Sequence, residues 1–255
     1  VVKMELERDY SCFISDVHLG LKVGDYAERE KRLVSVIESL PAETTSLYLL
    51  GDIFDFWYEY KYVIPKGYSR FFGALSRLSD RGVKIYFFKG NHDVWAFGYF
   101  TDEFSVKILD QPYYTRIGNK TFCLGHGDGL SGDDKKYLFL RSVFHSKILQ
   151  RLFSNIHPRW AFALANRWST HNRLYKGGEY KFRGEEDPLY GYVCKAEISS
   201  PADYFIFGHL HTPGEISTPL GGRMYVLGEW INGCQYLLYE SKTDTMEWRS
   251  GLIKK

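Results

Sequence analysis

The stretch SLYLLGDIFDFW, residues 46–57, decides how this chain is read. It opens with the apolar run 46–50 and turns at once into Gly51-Asp52. A continuous run of this kind, rather than strict alternation, suits a strand covered on both faces, as in a sheet with helices packed on it. The Gly-Asp that ends it sets a carboxylate at the carboxyl end of that strand, where open α/β sheets place their ligands.

The same arrangement recurs on either side. Apolar runs at 13–15, 83–88, 121–124 and 204–207 lead into Asp16-Val17-His18, Gly90-Asn91-His92-Asp93, Gly125-His126-Gly127-Asp128 and Gly208-His209-Leu210-His211. Any one of these is common in ordinary loops; five in series are not a chance collection of turn residues. Together they offer Asp16, His18, Asp52, Asn91, His126, His209 and His211 as ligands. That is enough oxygen and imidazole to hold two divalent ions.

Between the runs lie helical patterns. Residues 26–40 put Leu33, Val36, Ile37 and Leu40 on one face and stop at Pro41, and residues 68–78 do the same with Phe71, Phe72, Leu75 and Leu78. Positions 16, 52, 91 and 126 are each about one βαβ repeat apart, whereas 209 follows after more than twice that interval. The extra length, 133–192, reads as helices at 135–153 and 159–173 followed by a polar, Gly-rich tail. Because it opens after one motif and closes before the next, it is expected to be a cap beside the site. Runs at 215–218, 223–227, 235–239 and 245–249, separated by Gly and Pro turns, read as an antiparallel meander. The expected architecture is a single α/β domain over 1–255: two sheets, outer helices and a helical cap.

The bulk numbers narrow the function. A net charge of +2 over 255 residues gives no reason to expect nucleic acid as a partner. Cys12, Cys123, Cys194 and Cys234 form no Cys-x-x-Cys pair, which argues against a zinc knuckle and suits a reducing compartment. No segment approaches the roughly 20 apolar residues of a membrane span, and residues 1–10 lack the apolar core of a secretory signal. A cytoplasmic location is expected. Oligomeric state is not encoded in any recognisable way.

Two divalent ions a few ångströms apart can acidify water, polarise a phosphoryl oxygen and brace both attacking and leaving oxygens. A ligand shared by both must be an anion with two usable oxygens, and Asp52 fits that place and a direct part in catalysis. Asp16 and His18 would complete one site with one late histidine; Asn91 and His126 would complete the other with the second. Such mixed ligands favour manganese first, then iron or zinc, over calcium. His92 is expected to face substrate as a proton donor, oriented by Asp93 or Asp55. The blander alternative is that His92 and Asp93 cap a helix. Asp128 reads as a partner to a ligand, while His145, His157 and His171 read as surface or cap-packing residues.

These motifs resemble the calcineurin-like metallophosphoesterases, from residue 13 to about 233. The resemblance implies a four-layer αββα sandwich of two mixed sheets and phosphoester hydrolysis at a dinuclear centre. More narrowly, ISDVHLG, LYLLGDIFDFW, HGDGLSGDDKKYLFLRSVFHSKILQRLF and LGEW are similar to the UDP-2,3-diacylglucosamine pyrophosphohydrolase family of lipid A synthesis. That likeness implies cleavage of a nucleotide-linked glycolipid to UMP and 2,3-diacylglucosamine 1-phosphate, with acyl chains held by the cap. On this reading Asn91, His92, Asp134, Arg167 and His209 contact substrate. The family usually has Arg where this chain has His92.

The cap composition, with Trp160, Phe144 and Leu152 interleaved with Arg141, Lys147, Arg151 and Arg159, suits a surface on the cytoplasmic face of the inner membrane or an acyl groove. It equally suits helices packing on each other and on the core. On the acyl-groove reading Phe144 and Leu152 are expected on the buried face. Rival functions are a phosphodiesterase for cyclic nucleotides or other diesters, a nuclease, and a metal-binding scaffold without activity.

Overall fold

Strand β1 (Tyr10–Ile14), helix α1 (Tyr26–Glu38), β2 (Thr44–Leu49), α2 (Ser69–Asp80), β3 (Lys84–Phe88), α3 (Tyr99–Phe104) and β4 (Lys107–Leu109) follow one another as successive β-α units. They are seen in a computed structural model that describes residues 9–132, 135–175 and 182–251. Their strands pair in parallel, β1 with β2, β2 with β3 and β3 with β4. The chain then changes sheet. Strands β5 (Tyr113–Ile117) and β6 (Lys120–Leu124) form a hairpin, and β7 (Tyr204–Phe207) lies parallel to β6.

Between β6 and β7 come α4 (Lys135–His145), α5 (Lys147–Phe153), α6 (Pro158–Tyr175), a 3-10 turn (Gly184–Glu186) and α7 (Pro188–Ser199). The chain finishes with β8 (Gly214–Ser217), β9 (Arg223–Val226), β10 (Gln235–Glu240) and β11 (Thr245–Ser250). The sheet orders are β11-β10-β1-β2-β3-β4 and β5-β6-β7-β9-β8.

Alternation along each strand builds the layers. Cys12 and Ile14 of β1 point outward to join Leu33 and Ile37 of α1 and Phe71 and Leu75 of α2. Phe13 points inward with Tyr48, Phe88, Phe122, Leu124, Ile206 and Tyr239 to fill the space between the sheets. On the far side Cys123, Phe205, Phe207 and Val226 meet Leu189, Tyr190 and Val193 of α7. Helix, sheet, sheet, helix is the four-layer αββα sandwich. Cys12 and Cys123 are fully buried in it, and burial pushes both thiols above their ordinary range, as suits inert packing residues.

Four expectations are corrected. The interval from Asn91 to His126 is not one βαβ repeat; it holds α3, β4 and the β5–β6 hairpin, and carries the chain between sheets. The last four strands are not one meander: β8 and β9 close the second sheet, while β10 and β11 join the first beside β1. Local alternation reports which face of a strand is covered, not which strand lies next to it. The helix expected over 135–153 is two, because Ser146 leaves helical geometry and caps α5, its Oγ accepting from Leu149 N. The boundary expected at 192 falls inside α7, whose apolar face packs on the second sheet.

Candidate metal centre

The five motifs converge at the carboxyl ends of β1, β2, β3, β6 and β7 because parallel and aligned strands present those ends together. Five of the seven expected ligands, Asp16, His18, Asp52, His209 and His211, sit in the left-handed region with φ between 50° and 70°. Each such non-glycine residue costs roughly 1–2 kcal/mol and persists only where surrounding structure holds it. Here the loops hold one another: Asp16 N donates to Gly51 O at 3.1 Å, His18 N to Asp52 O at 2.9 Å and Gly208 N to His126 O at 2.9 Å. The motif glycines answer to crowding. A Cβ on Gly90 would fall 2.1 Å from Asp52 Oδ1, and one on Gly208 would fall 2.0 Å from Ser15 Oγ.

One group of donors is Asp16 Oδ1, His18 Nε2 and His211 Nε2. The two imidazole nitrogens face each other at 3.3 Å, and Asp16 Oδ1 lies 3.3 Å from His211 Nε2 and 4.0 Å from His18 Nε2. The other group is Asn91 Oδ1, His126 Nε2 and His209 Nδ1, with the amide oxygen 3.3 Å and 3.1 Å from the two nitrogens. Asp52 Oδ2 stands between them, 3.9 Å from His18 Nε2 and 3.5 Å from His126 Nε2. The late histidines are thereby sorted, His211 to the first group and His209 to the second.

The donor set fits divalent cations. Asp16 Oδ1 and Asp52 Oδ2 are fully buried oxygens that accept no hydrogen bond. Their partner oxygens are engaged: Asp16 Oδ2 accepts from Ser15 Oγ at 2.6 Å and His209 N at 3.0 Å, and Asp52 Oδ1 accepts from His92 N at 2.9 Å. A buried carboxylate oxygen left bare is costly unless a cation meets it. The histidines are prepared as ligands too. His126 Nδ1 donates to Leu50 O at 2.8 Å, so that Nε2 is the nitrogen turned toward the site and offers its lone pair once its proton is lost.

Burial pushes His18 and His209 down to about 4, keeping both neutral. His126 goes the other way. Burial would lower it, but Asp52 and Asp16 beside it raise it well above the ordinary imidazole range. Both carboxylates stay ionised against the pull of burial, Asp16 through His211 and His126, Asp52 through His126 and His92.

His92 stands with the ligand set without belonging to either group. Its Nδ1 donates to Asp55 O at 2.8 Å and its ring meets that of His18 edge-on at 4.9 Å. Of the two candidate orienters, Asp55 is therefore the one in contact. Asp93 serves the loops instead. Its Oδ1 accepts from Gly90 N at 2.8 Å and Asp52 N at 3.2 Å, its Oδ2 from Ile53 N at 2.8 Å. It straps the third motif to the second and caps no helix. Asp128 has both oxygens engaged: it accepts from Gln111 Nε2 at 2.6 Å, Tyr137 OH at 2.7 Å and Arg141 Nε at 3.0 Å. It thus ties α4 to the fourth motif. Nothing in the residue pattern pointed to Gln111 or Tyr137. Arg167 is exposed on α6, His157 is exposed, and Asp134 and the His171 side chain lie outside the described residues.

The helices α4 to α6 rest on aromatic residues of the loops that carry the second and third motifs. Trp95 meets Phe144 and Phe153 with ring centroids 5.5 Å and 4.7 Å away, and Phe56 meets Phe162 at 5.0 Å. Trp95 Nε1 donates to Phe144 O at 2.9 Å and Tyr58 OH to Gln150 O at 2.7 Å. Phe144 is on the covered face as expected. Leu152 is not: it is 61% exposed, as are Phe139, Ile148 and Trp160 to similar or greater degree.

The calcineurin-like phosphoesterase pattern matches residues 12–213. Curated relatives include the UDP-2,3-diacylglucosamine hydrolase of Porphyromonas gingivalis, 32% identical over 252 residues that cover 92% of this chain and 95% of the relative. The enzyme of the same name from Hamiltonella defensa is 30% identical and covers 87% of this chain and 89% of its own. That from Neisseria gonorrhoeae is 31% identical, with 87% and 90% covered. With the pattern spanning most of its length and the αββα sandwich beneath it, this chain belongs to the calcineurin-like phosphoesterase family.

Proposed function

We propose that the protein hydrolyses UDP-2,3-diacylglucosamine, the substrate in its relatives' names, to UMP and 2,3-diacylglucosamine 1-phosphate in lipid A synthesis, with two manganese ions as cofactor and iron or zinc as substitutes. The observation that carries the reading is the pair of bare, buried carboxylate oxygens, Asp16 Oδ1 and Asp52 Oδ2, each facing imidazole nitrogens. Asp16, His18 and His211 would hold one ion and Asn91, His126 and His209 the other, with Asp52 available to both. When bound, the ions supply Lewis acidity, neutralising phosphoryl charge and acidifying water.

The chain's own part is orientation and proton transfer. His92 has Nδ1 committed to the Asp55 carbonyl, so its Nε2–H in the imidazolium form is the donor left for a phosphoryl oxygen or the leaving group. Asn91 and His209, whose side chains meet at 3.1 Å, contact the substrate head, and the sequence resemblance assigns Asp134 and Arg167 to it as well. The insertion between β6 and α7 acts as a helical cap on a single catalytic domain. Its exposed Phe139, Ile148, Leu152 and Trp160 beside Lys147, Arg151 and Arg159 suit acyl chains and contact with the cytoplasmic face of the inner membrane. No helix of the described residues is long and apolar enough to cross a membrane.

The test is turnover with Mn against UDP-2,3-diacylglucosamine, cyclic AMP and bis-p-nitrophenyl phosphate. The lipid substrate should lead by orders of magnitude in kcat/KM. Equal rates on all three, or preference for the cyclic nucleotide, would replace this reading with a general phosphodiesterase.

A further inference from the structure

Helix α1 carries a charge where its pattern calls for an apolar residue. Arg29 lies on the buried face with Leu33, Val36 and Ile37, and is only 1% exposed. A guanidinium in such a place is costly unless its donors are used. Its two terminal nitrogens reach backbone carbonyls of the loop after the first motif. One donates to His18 O at 2.7 Å and Leu21 O at 3.2 Å; the other donates to Val23 O at 2.6 Å.

His18 is the residue of interest among these. Its φ is 50°, and its side chain supplies the nitrogen that faces His211. Its carbonyl already accepts from Leu21 N at 3.2 Å, so the Arg29 contact occupies the second lone pair and fixes the peptide plane from the helix side. Beyond His18 the loop has left-handed glycines, Gly20 and Gly24, that supply no rigidity of their own. The other two members of the first group are held through their carbonyls by backbone: Asp16 O accepts from Trp230 N at 3.1 Å and His211 O from Glu229 N at 3.3 Å. The His18 carbonyl is gripped by a side chain.

We infer that Arg29 is a positioning residue for the ion held by Asp16, His18 and His211: it sets the His18 imidazole by gripping the His18 carbonyl and the loop that follows. Arg29 touches no reacting atom. The inference rests on the dinuclear reading above.

The experiment is a Mn titration of the metal-free full chain, wild type, Arg29→Met and Arg29→Lys, followed by electron paramagnetic resonance and by thermal melting. Lys31→Met, an exposed change on the same helix, is the control. Wild type and control should fill to two ions with an exchange-coupled signal. In Arg29→Met one ion should bind as before and show an isolated six-line spectrum. The coupled signal should require about 10- to 100-fold more Mn, the range found when an outer partner of a metal ligand is removed. Turnover at limiting Mn should fall with KM unchanged, and excess Mn should restore it. Arg29→Lys keeps one donor group and should fall between the two.

A folded Arg29→Met protein with both affinities at wild-type level overturns the proposal. If that variant does not fold, Arg29→Lys decides: unchanged affinities overturn the proposal, and selective weakening of one ion supports it. Uptake of a single ion by the wild type would overturn the dinuclear reading instead. In that event an unchanged affinity for that ion in the variants overturns the role of Arg29 as well.

Discussion

Asp52 touches both donor groups with one oxygen while the other is committed to His92 N, so its removal strikes the site twice. Asp52→Ala should abolish measurable turnover and leave one ion or fewer per chain by metal analysis; two tightly held ions in that variant would remove Asp52 from the shared position. His92 is bonded to the frame of the site and not to either group. His92→Ala should therefore keep its metal and lose on the order of 10²- to 10⁴-fold in turnover, and a matching loss of metal would make it a ligand. His126 gives a third handle. Its imidazole is raised well above its ordinary value, against burial, by Asp52 and Asp16, whereas His18 and His209 are already neutral above about pH 4. A ligand nitrogen must be free of its proton, so binding of the second ion should release about one proton near neutral pH and strengthen as pH rises. Calorimetry in buffers of different ionisation enthalpy counts that proton; no release would mean that His126 is already neutral in the metal-free protein.

At the scale of elements, the α4–α6 insertion divides its apolar residues in two. Phe144, Phe153 and Phe162 are spent on the Trp95 and Phe56 rings, while Ile148 and Leu152 face outward with more than half their surface exposed. The double variant Ile148→Ser, Leu152→Ser should thus melt as the wild type does. If lipid covers those side chains, burial worth about 1.5–3 kcal/mol each is lost, roughly ten- to a hundredfold per residue on the lipid substrate, with a soluble diester unaffected. Equal losses on both substrates would dismiss a lipid-contact role for this face. Phe144→Ser serves as contrast: it should lower the melting temperature, because it opens a gap against Trp95.

Over the whole molecule, ions and fold are linked through buried charge. Asp16 and Asp52 are fully buried at one end of the sandwich and stay ionised, while burial and Asp52 push Asp93 up to about 7 and Asp128 is paired with Arg141. An ion present at about 1,000 times its Kd stabilises the folded state by roughly 4 kcal/mol, on the order of 10 °C for a domain of this size. Chelation should lower the melting temperature by that amount and added Mn should recover it. In Asp52→Ala both changes should shrink. A melting curve indifferent to chelator would show that the carboxylates are satisfied without metal.

Sequence alone determined the residue types and the local pieces. Continuous apolar runs ending in Gly-Asp or Gly-His mark buried strands with candidate ligands at their carboxyl ends, and this is a property of neighbouring residues. Amphipathic spacing likewise marked α1 and α2, because 3.6-residue periodicity is local. Tertiary structure decided everything that depends on which pieces become neighbours. It split the last four strands between two sheets, paired His211 with His18 and His209 with His126, and left two carboxylate oxygens bare. It also drew Arg29 onto the His18 carbonyl, a contact with no local signature beyond one charge in an apolar stripe. The reason is the same in each case: hydrogen-bond partners and burial are set by residues far apart in the chain, and local pattern reports a residue's own face without naming what it meets.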